Sequence, residues 1–543
     1  MGWNKGQSLL LLMLLLSSEV FCQVDRYMVL FKDKAASPFV TSKPNEFLSQ
    51  RAINRRSAHR IEITDADLPV NSTYVEEIAE TGAMTFFTTK WMNGLLVQCD
   101  AAIVPVISSL DFVQSVELVA PNARLMRSGR VKANGDITEG MISVKTDAQL
   151  RLIGLDEMHA AGYKGETIHI GIFDSGFQGV NSATAFQHLF NRGRVDQALS
   201  KDFVLNSDNV FQHDDHGTQV LSVMAGYQEG IFTGGSFDAE YQLYVTEDVS
   251  SEYRVEEYNW LFAAERADSA GVDIVNSSLG YYDFDDASMN YPRSAMDGKT
   301  SVVSKAAQWL ADRGVLVVCS AGNEGAIAWQ IITAPADAKD VLAIASVNGE
   351  GQRAGSSSIG PSADGRVKPD VAAMGVNTSV IKPNGATGNA SGTSLASPLI
   401  ASLAAGVWQR YPNLSNKEII AAIRNSASQA SSPDNLIGYG IPNFRAVVNY
   451  LERQDQENAF VVYPNPVTAD TIVIRPADPS VVTQCKMELV SSQGQILYTE
   501  SINFSWLERS YTANLSGRDA GLYFLRLWWD GKPFTFKLIK VPG

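Results

Sequence analysis

Hydrophobic and polar positions change their rhythm several times along the chain. Behind a single basic residue, Lys5, runs an unbroken apolar stretch from Leu9 to Leu16. Such a run is too short to cross a bilayer, and small or polar residues follow it, so residues 1–22 are expected to be a removable export signal. Glu19, three residues before Cys22, makes a lipid anchor on that cysteine the poorer reading. From 23 to 123 the segments RYMVLFKDK, NGLLVQCD and the end of DAAIVPVISSLDFVQSVELV predict strands. The basic segment PNEFLSQRAINRRSAHR and the start of that last stretch predict helices. This β-α-β-α-β succession implies a small α+β domain with helices on one sheet. Residues 124–144 are polar, glycine-containing and lightly basic, an exposed linker suited to proteolytic cutting.

Between 145 and 452 short β-branched runs alternate with helical patterns. ETIHIGIFD, YQLYVTEDV, GVDIVNSSLG, GVLVVCSAGN and DVLAIASVN predict buried strands. VEEYNWLFAAERADSA, TSVVSKAAQWLADRG and the stretch after Ser394 predict helices. Apolar strands separated by helices imply an α/β fold with a doubly wound, mostly parallel sheet. In such sheets function gathers outside the carboxyl ends of the strands, where Asp174 and Asn323 fall. From 453 to 543 the strands are short and alternating, with turn residues between them, which predicts an antiparallel β-sandwich.

Composition narrows the classes. Apolar residues make up 45% and charged residues 19% of the 543, ordinary for globular domains with sizeable cores. A net charge of −15 argues against nucleic acid as a partner, because phosphate binding needs basic surfaces. Cys22, Cys99, Cys319 and Cys485 are too scattered for a disulfide framework or a zinc site, so buried free thiols are expected.

Three segments carry candidate chemistry: IGIFDSGF with Asp174, HDDHGTQVLSVMAG with His216, and NASGTSLASP with Ser394. Each residue alone has a plainer explanation, as a turn aspartate, a structural histidine or a helix-capping serine. Together they supply a hydroxyl nucleophile, an imidazole to take its proton and a carboxylate to orient the imidazole. A metal cluster from His213, Asp214, Asp215 and His216 is the weaker reading, because the Gly-Thr of a small-residue helix follows and no further ligand set appears. In CSAGNEG, Asn323 occupies a glycine-flanked turn after a buried strand, where its amide can donate to a developing oxyanion beside the Ser394 N–H.

The segments DSG, HGT, AGN and GTSLASP, in that order, resemble the subtilisin family of serine peptidases over roughly residues 145–450. The resemblance implies a secreted endopeptidase acting through an Asp174-His216-Ser394 triad and an acyl-enzyme, with peptide or protein substrates. It also implies that Ser278, Leu279 and Gly280 pair with the substrate backbone. Ser320, Ala321 and Gly322 would form the opposite wall of the primary specificity pocket, with Thr333 and Ala334 near its floor. Gln219 and Leu395 depart from usual family residues without touching the mechanism. No cofactor is implied, and no calcium-ligand run matches the family's. An acidic loop at Asp283 to Asp286 is expected to be solvated.

Residues 23–123 resemble in outline the inhibitory propeptide of these enzymes, which makes the N-terminal domain an intramolecular inhibitor. VYPNPV (Tyr463 to Val467), DAGLYFLRL and FKLIKV resemble the type IX secretion sorting domain of Bacteroidota. That implies engagement of secretion machinery and a secreted or surface location. A catalytically silent surface-binding adhesin on the same scaffold is the alternative.

Overall fold

The computed structural model describes residues 24–35, 37–122, 146–477, 482, 484–504 and 509–542. The expected export signal at 1–22 and linker at 124–144 lie outside them.

Strand β1 (Val24–Phe31) is buried along most of its length because both of its faces are covered. With helix α1 (Gln50–Ala58), helix α2 (Ser72–Glu80), β2 (Met84–Thr89), β3 (Gly94–Asp100) and β4 (Val113–Ala120) it builds the N-terminal region. The strands form an antiparallel sheet in the order β2-β3-β1-β4. Side chains alternate across a strand. Tyr27, Val29, Leu95 and Val97 therefore pack into a small local core with Ile78 of α2. Met28, Leu96 and Val119 point the other way, into the core of the following region. Sequence periodicity anticipates β1, α1, β3 and β4 but not α2 or β2. β2 is partly exposed along most of its length, so its apolar signal is diluted.

The middle of the chain contributes β5 (His169–Asp174), β6 (Lys201–Asp202), helix α3 (His216–Ala225), β7 (Glu240–Val245), helix α4 (Val255–Ala270), β8 (Ile274–Ser277), helix α5 (Val302–Asp312), β9 (Leu316–Ser320), β10 (Leu342–Val347), β11 (Val371–Met374) and helix α6 (Thr393–Arg410). The strands form a parallel seven-stranded sheet ordered β11-β10-β9-β8-β5-β7-β6. Ile172, Val318 and Ile344 face the core that holds α3 and α6. Their neighbours Phe173, Val317 and Ala343 face the core that holds α4 and α5. Both faces are covered, which is why the strands read as continuous apolar runs. The short edge strands β6 and β11 are the members that periodicity does not announce.

The sheet of β1 to β4 rests on α4 and is fastened there by charge. Arg55 Nη2 and Arg56 Nη2 reach Asp268 at 2.6 and 2.7 Å, and Arg56 Nη1 also reaches Asp67 at 2.9 Å. Arg313 Nε closes the group onto Asp67 at 2.8 Å. Burial pushes the Asp268 carboxyl up, but Lys90, Arg56, Arg55 and Arg313 outweigh it and hold the group below the ordinary carboxylate range. Beside it Glu265 accepts from the Lys90 and Trp91 N–H groups at 2.8 and 3.0 Å.

Beyond helix 444–458, two antiparallel sheets share one core that includes Phe460, Ile472, Leu489 and Leu525. The VYPNPV segment is tied to the last strand: Val467 N–H donates to Ile539 O at 2.7 Å and Val541 N–H to Val467 O at 3.1 Å. Cys99, Cys319 and Cys485 are free and buried. Among the described residues no helix is long and apolar enough to cross a membrane.

Candidate active site

Asp174 is the last residue of β5 and is fully buried. A carboxylate in that position needs donors. Its Oδ1 accepts from the Ser175 N–H at 2.8 Å and meets His216 Nδ1 at 2.7 Å. His216 opens α3, and Gly217 after it lets that helix come close: a Cβ there would lie 2.4 Å from Gly176 O and 3.0 Å from Asp174 Cβ. His213 faces a different carboxylate, with Nε2 3.8 Å from Asp202 Oδ2. Ser175 Oγ donates to Asp214, which braces the loop on the far side of the pair.

Burial alone lowers the pKa of His216. The charge and hydrogen bond of Asp174, with the charges of Asp214 and Glu247, outweigh burial and raise it from 6.5 to about 9. The folded value is the higher one. This proton therefore stabilises the fold fully below pH 6.5, and the contribution is lost as pH climbs through about 9.

Ser394 is the second residue of α6, which packs directly on α3 and so brings the hydroxyl and imidazole segments to one end of the sheet. Asn323 Oδ1 accepts from the Thr393 N–H at 2.9 Å and from Thr393 Oγ1 at 3.1 Å. With its oxygen held, the Asn323 amide has its Nδ2 donors left for another acceptor. A Cβ on Gly392 would lie 2.9 Å from Ser394 Oγ and 3.6 Å from Asn323 Nδ2, so hydroxyl and amide border the same space.

Ser278, Leu279 and Gly280 continue β8 beyond the sheet. The Ser278 hydroxyl turns inward, donating to Ser394 O at 2.9 Å. Ser320 ends β9, and Ala321 and Gly322 follow it. Gly280 and Gly322 converge on Thr333: a Cβ on either would lie 2.2 and 3.0 Å from Thr333 Oγ1. Ala334 exchanges backbone hydrogen bonds with Tyr281. The acidic loop carries Asp286, which caps its own turn through the Ser288 N–H at 2.9 Å.

Two supporting contacts escape sequence reading. Thr393 anchors Asn323, and Ser278 ties the extended stretch to α6. Small hydroxyl residues are common enough that nothing marks these until their distant partners are known.

Comparison with known proteins bears on this arrangement. The family model described as the Subtilase family matches residues 165–440. The Peptidase S8 propeptide domain of Bacteroidota matches 26–134, and the secretion system C-terminal sorting domain matches 461–541. Subtilisin of Bacillus pumilus is 28% identical over 294 residues, covering 53% of this chain and 94% of the relative. A thermostable alkaline protease of Halalkalibacterium halodurans is 25% identical over 318 residues, covering 59% and 78%. The solved epidermin leader peptide processing serine protease of Staphylococcus aureus aligns with TM-score 0.54 at 13% identity, over 78% of this chain and 99% of that one. This last likeness is one of fold.

Proposed function

The chain belongs to the subtilase family and is a serine endopeptidase, and from that premise we propose that Ser394, His216 and Asp174 perform the hydrolysis. Ser394 Oγ attacks the peptide carbonyl and forms an acyl-enzyme, which water then hydrolyses. His216 takes the hydroxyl proton and returns it to the leaving amine. Asp174 orients the ring through Nδ1 and balances the imidazolium charge. Asn323 Nδ2 and the Ser394 N–H hold the oxyanion. No metal or organic cofactor enters these steps. The observation that carries the reading is the 2.7 Å contact of Asp174 with His216 at the start of a helix packed against the one that bears Ser394.

Labelling by a fluorophosphonate tests it against a silent adhesin. The expected result is one label per chain, on Ser394; a folded chain that takes no label contradicts the reading. The labelling rate should rise with pH and level off only above about 9, since His216 must be neutral to accept the proton. A rate already flat at pH 7 contradicts the upward shift of the His216 imidazole. Asn323→Ala should lower kcat by about 10²–10³, a figure drawn from the same donor in subtilisin, with little change in KM.

The sorting tail and propeptide domain mark the protein for export to the surface or the medium. We further propose that residues 23–123 silence the enzyme until a cut falls within 124–144. Residues 145–452 are then the working unit, and 453–543 address the secretion machinery. Ser278 to Gly280 bind the substrate backbone as an added strand, with Ser320 to Gly322 as the facing wall.

A further inference from the structure

Three carboxylates gather beside this site. Glu247 follows β7, whose last residue, Val245, pairs with Asp174. Glu256 lies in the first turn of α4, and Glu252 sits in the loop between them. One oxygen from each lies within 4.8 Å of the others; Glu247 and Glu256 are buried and Glu252 is half-buried. An acidic group of this kind is often no more than a solvated face.

Its surroundings are different here. Tyr281 is fully buried, and its hydroxyl has no hydrogen-bond partner among the described residues. Glu247, Glu256 and Glu252 are the foremost charges acting on that hydroxyl. Tyr281 is also the residue after the Ser278–Gly280 stretch, and its N–H donates to Ala334 O at 2.9 Å. Thr246 Oγ1 and Asn259 Oδ1 are buried and equally unpartnered among the described residues. Asn259 stands one turn past Glu256 and donates through Nδ2 to Thr246 O at 3.2 Å. Oxygen acceptors thus gather between Glu247, whose charge acts on the His216 imidazole, and Tyr281 beside the candidate substrate stretch. A group carrying positive charge and several N–H donors suits such a cluster.

We propose that Glu247, Glu252 and Glu256 form a subsite for a cationic side chain, arginine or lysine, of the peptide substrate. The proposal rests on the peptidase reading and on Ser278–Gly280 as the stretch that binds peptide. The chain's own linker has the matching charge: the segment proposed for processing contains Arg124, Arg127, Arg130 and Lys132.

Peptides that carry either arginine or norleucine, varied one position at a time, test it on the expressed protein with active sites counted by fluorophosphonate. At one position arginine is expected to raise kcat/KM by about tenfold or more, and Glu252→Gln to bring the two peptides within about threefold of each other. Glu252 is only half-buried, so this change is compatible with a folded protein, and retained labelling checks it. Equal cleavage at every position, with labelling and norleucine-peptide turnover intact, overturns the subsite and leaves the peptidase reading standing. No labelling of a folded chain overturns both. Calcium that raises Tm in the unaltered protein but not in Glu252→Gln, without any arginine preference, overturns it in favour of a metal site.

Discussion

Ser394→Ala is expected to abolish peptide-bond hydrolysis, lowering kcat by about 10⁶-fold, the magnitude that loss of the nucleophile has in subtilisin itself. The residual rate comes from groups that remain, chiefly the oxyanion donors and substrate binding. The substitution should leave the fold intact. The tie between the candidate substrate strand and α6 runs from Ser278 Oγ to the backbone oxygen of residue 394, which alanine keeps. Turnover of a chromogenic peptide, fluorophosphonate labelling and Tm measure the three consequences. Hydrolysis within about tenfold of the unaltered enzyme would remove Ser394 from the mechanism.

Asp268→Leu is expected to have the largest effect on stability. Asp268 is fully buried and receives Arg55, Arg56 and Lys90 from the N-terminal region. Removing one side of a buried ion group leaves the other charges desolvated and uncompensated, at about 3–5 kcal/mol. The loss should appear in denaturant unfolding of the full chain. It should be nearly absent once the N-terminal region has been cut away, because those three partners leave with it. Equal destabilisation of the full and processed forms would show that Asp268 serves the central sheet instead. Acid should act in the same direction. The Asp268 carboxyl is held below its ordinary value of 3.8, so its contribution is present above that pH and is lost as pH falls through the folded value.

Much of the fold is legible in local pattern. The helix expected at VEEYNWLFAAERADSA is α4, residue for residue, ended by Gly271 at φ +89°. The buried strands were legible because both faces of the sheet are covered, which leaves their sequences continuously apolar. β2, β6 and β11 were not, since short or half-exposed strands have too few buried positions to set a period. Of the candidate site, the motif residues were legible as types: an aspartate closing a strand, a histidine opening a helix, a serine at a small-residue helix. Their supporting contacts, Thr393 to Asn323 and the Ser278 hydroxyl to α6, were not.

What the amino-acid sequence determined by itself is therefore local: which segments become strand or helix, which side chains face a core, and which residue types stand at the strand ends and helix starts. Alternation at two or 3.6 residues encodes burial, and burial is the dominant stabilising term. Partnership across the chain was decided only by the tertiary structure. The sheet order places β5 between β8 and β7, and that order sets Asp174 beside the segment leading to Glu247. The same packing joins Arg56 to Asp268, 212 residues apart, and draws Glu247, Glu252 and Glu256 together next to Tyr281. A charge or a hydroxyl acquires its pKa, its donors and its role from neighbours that no local period records, and those neighbours exist only once the layers have closed.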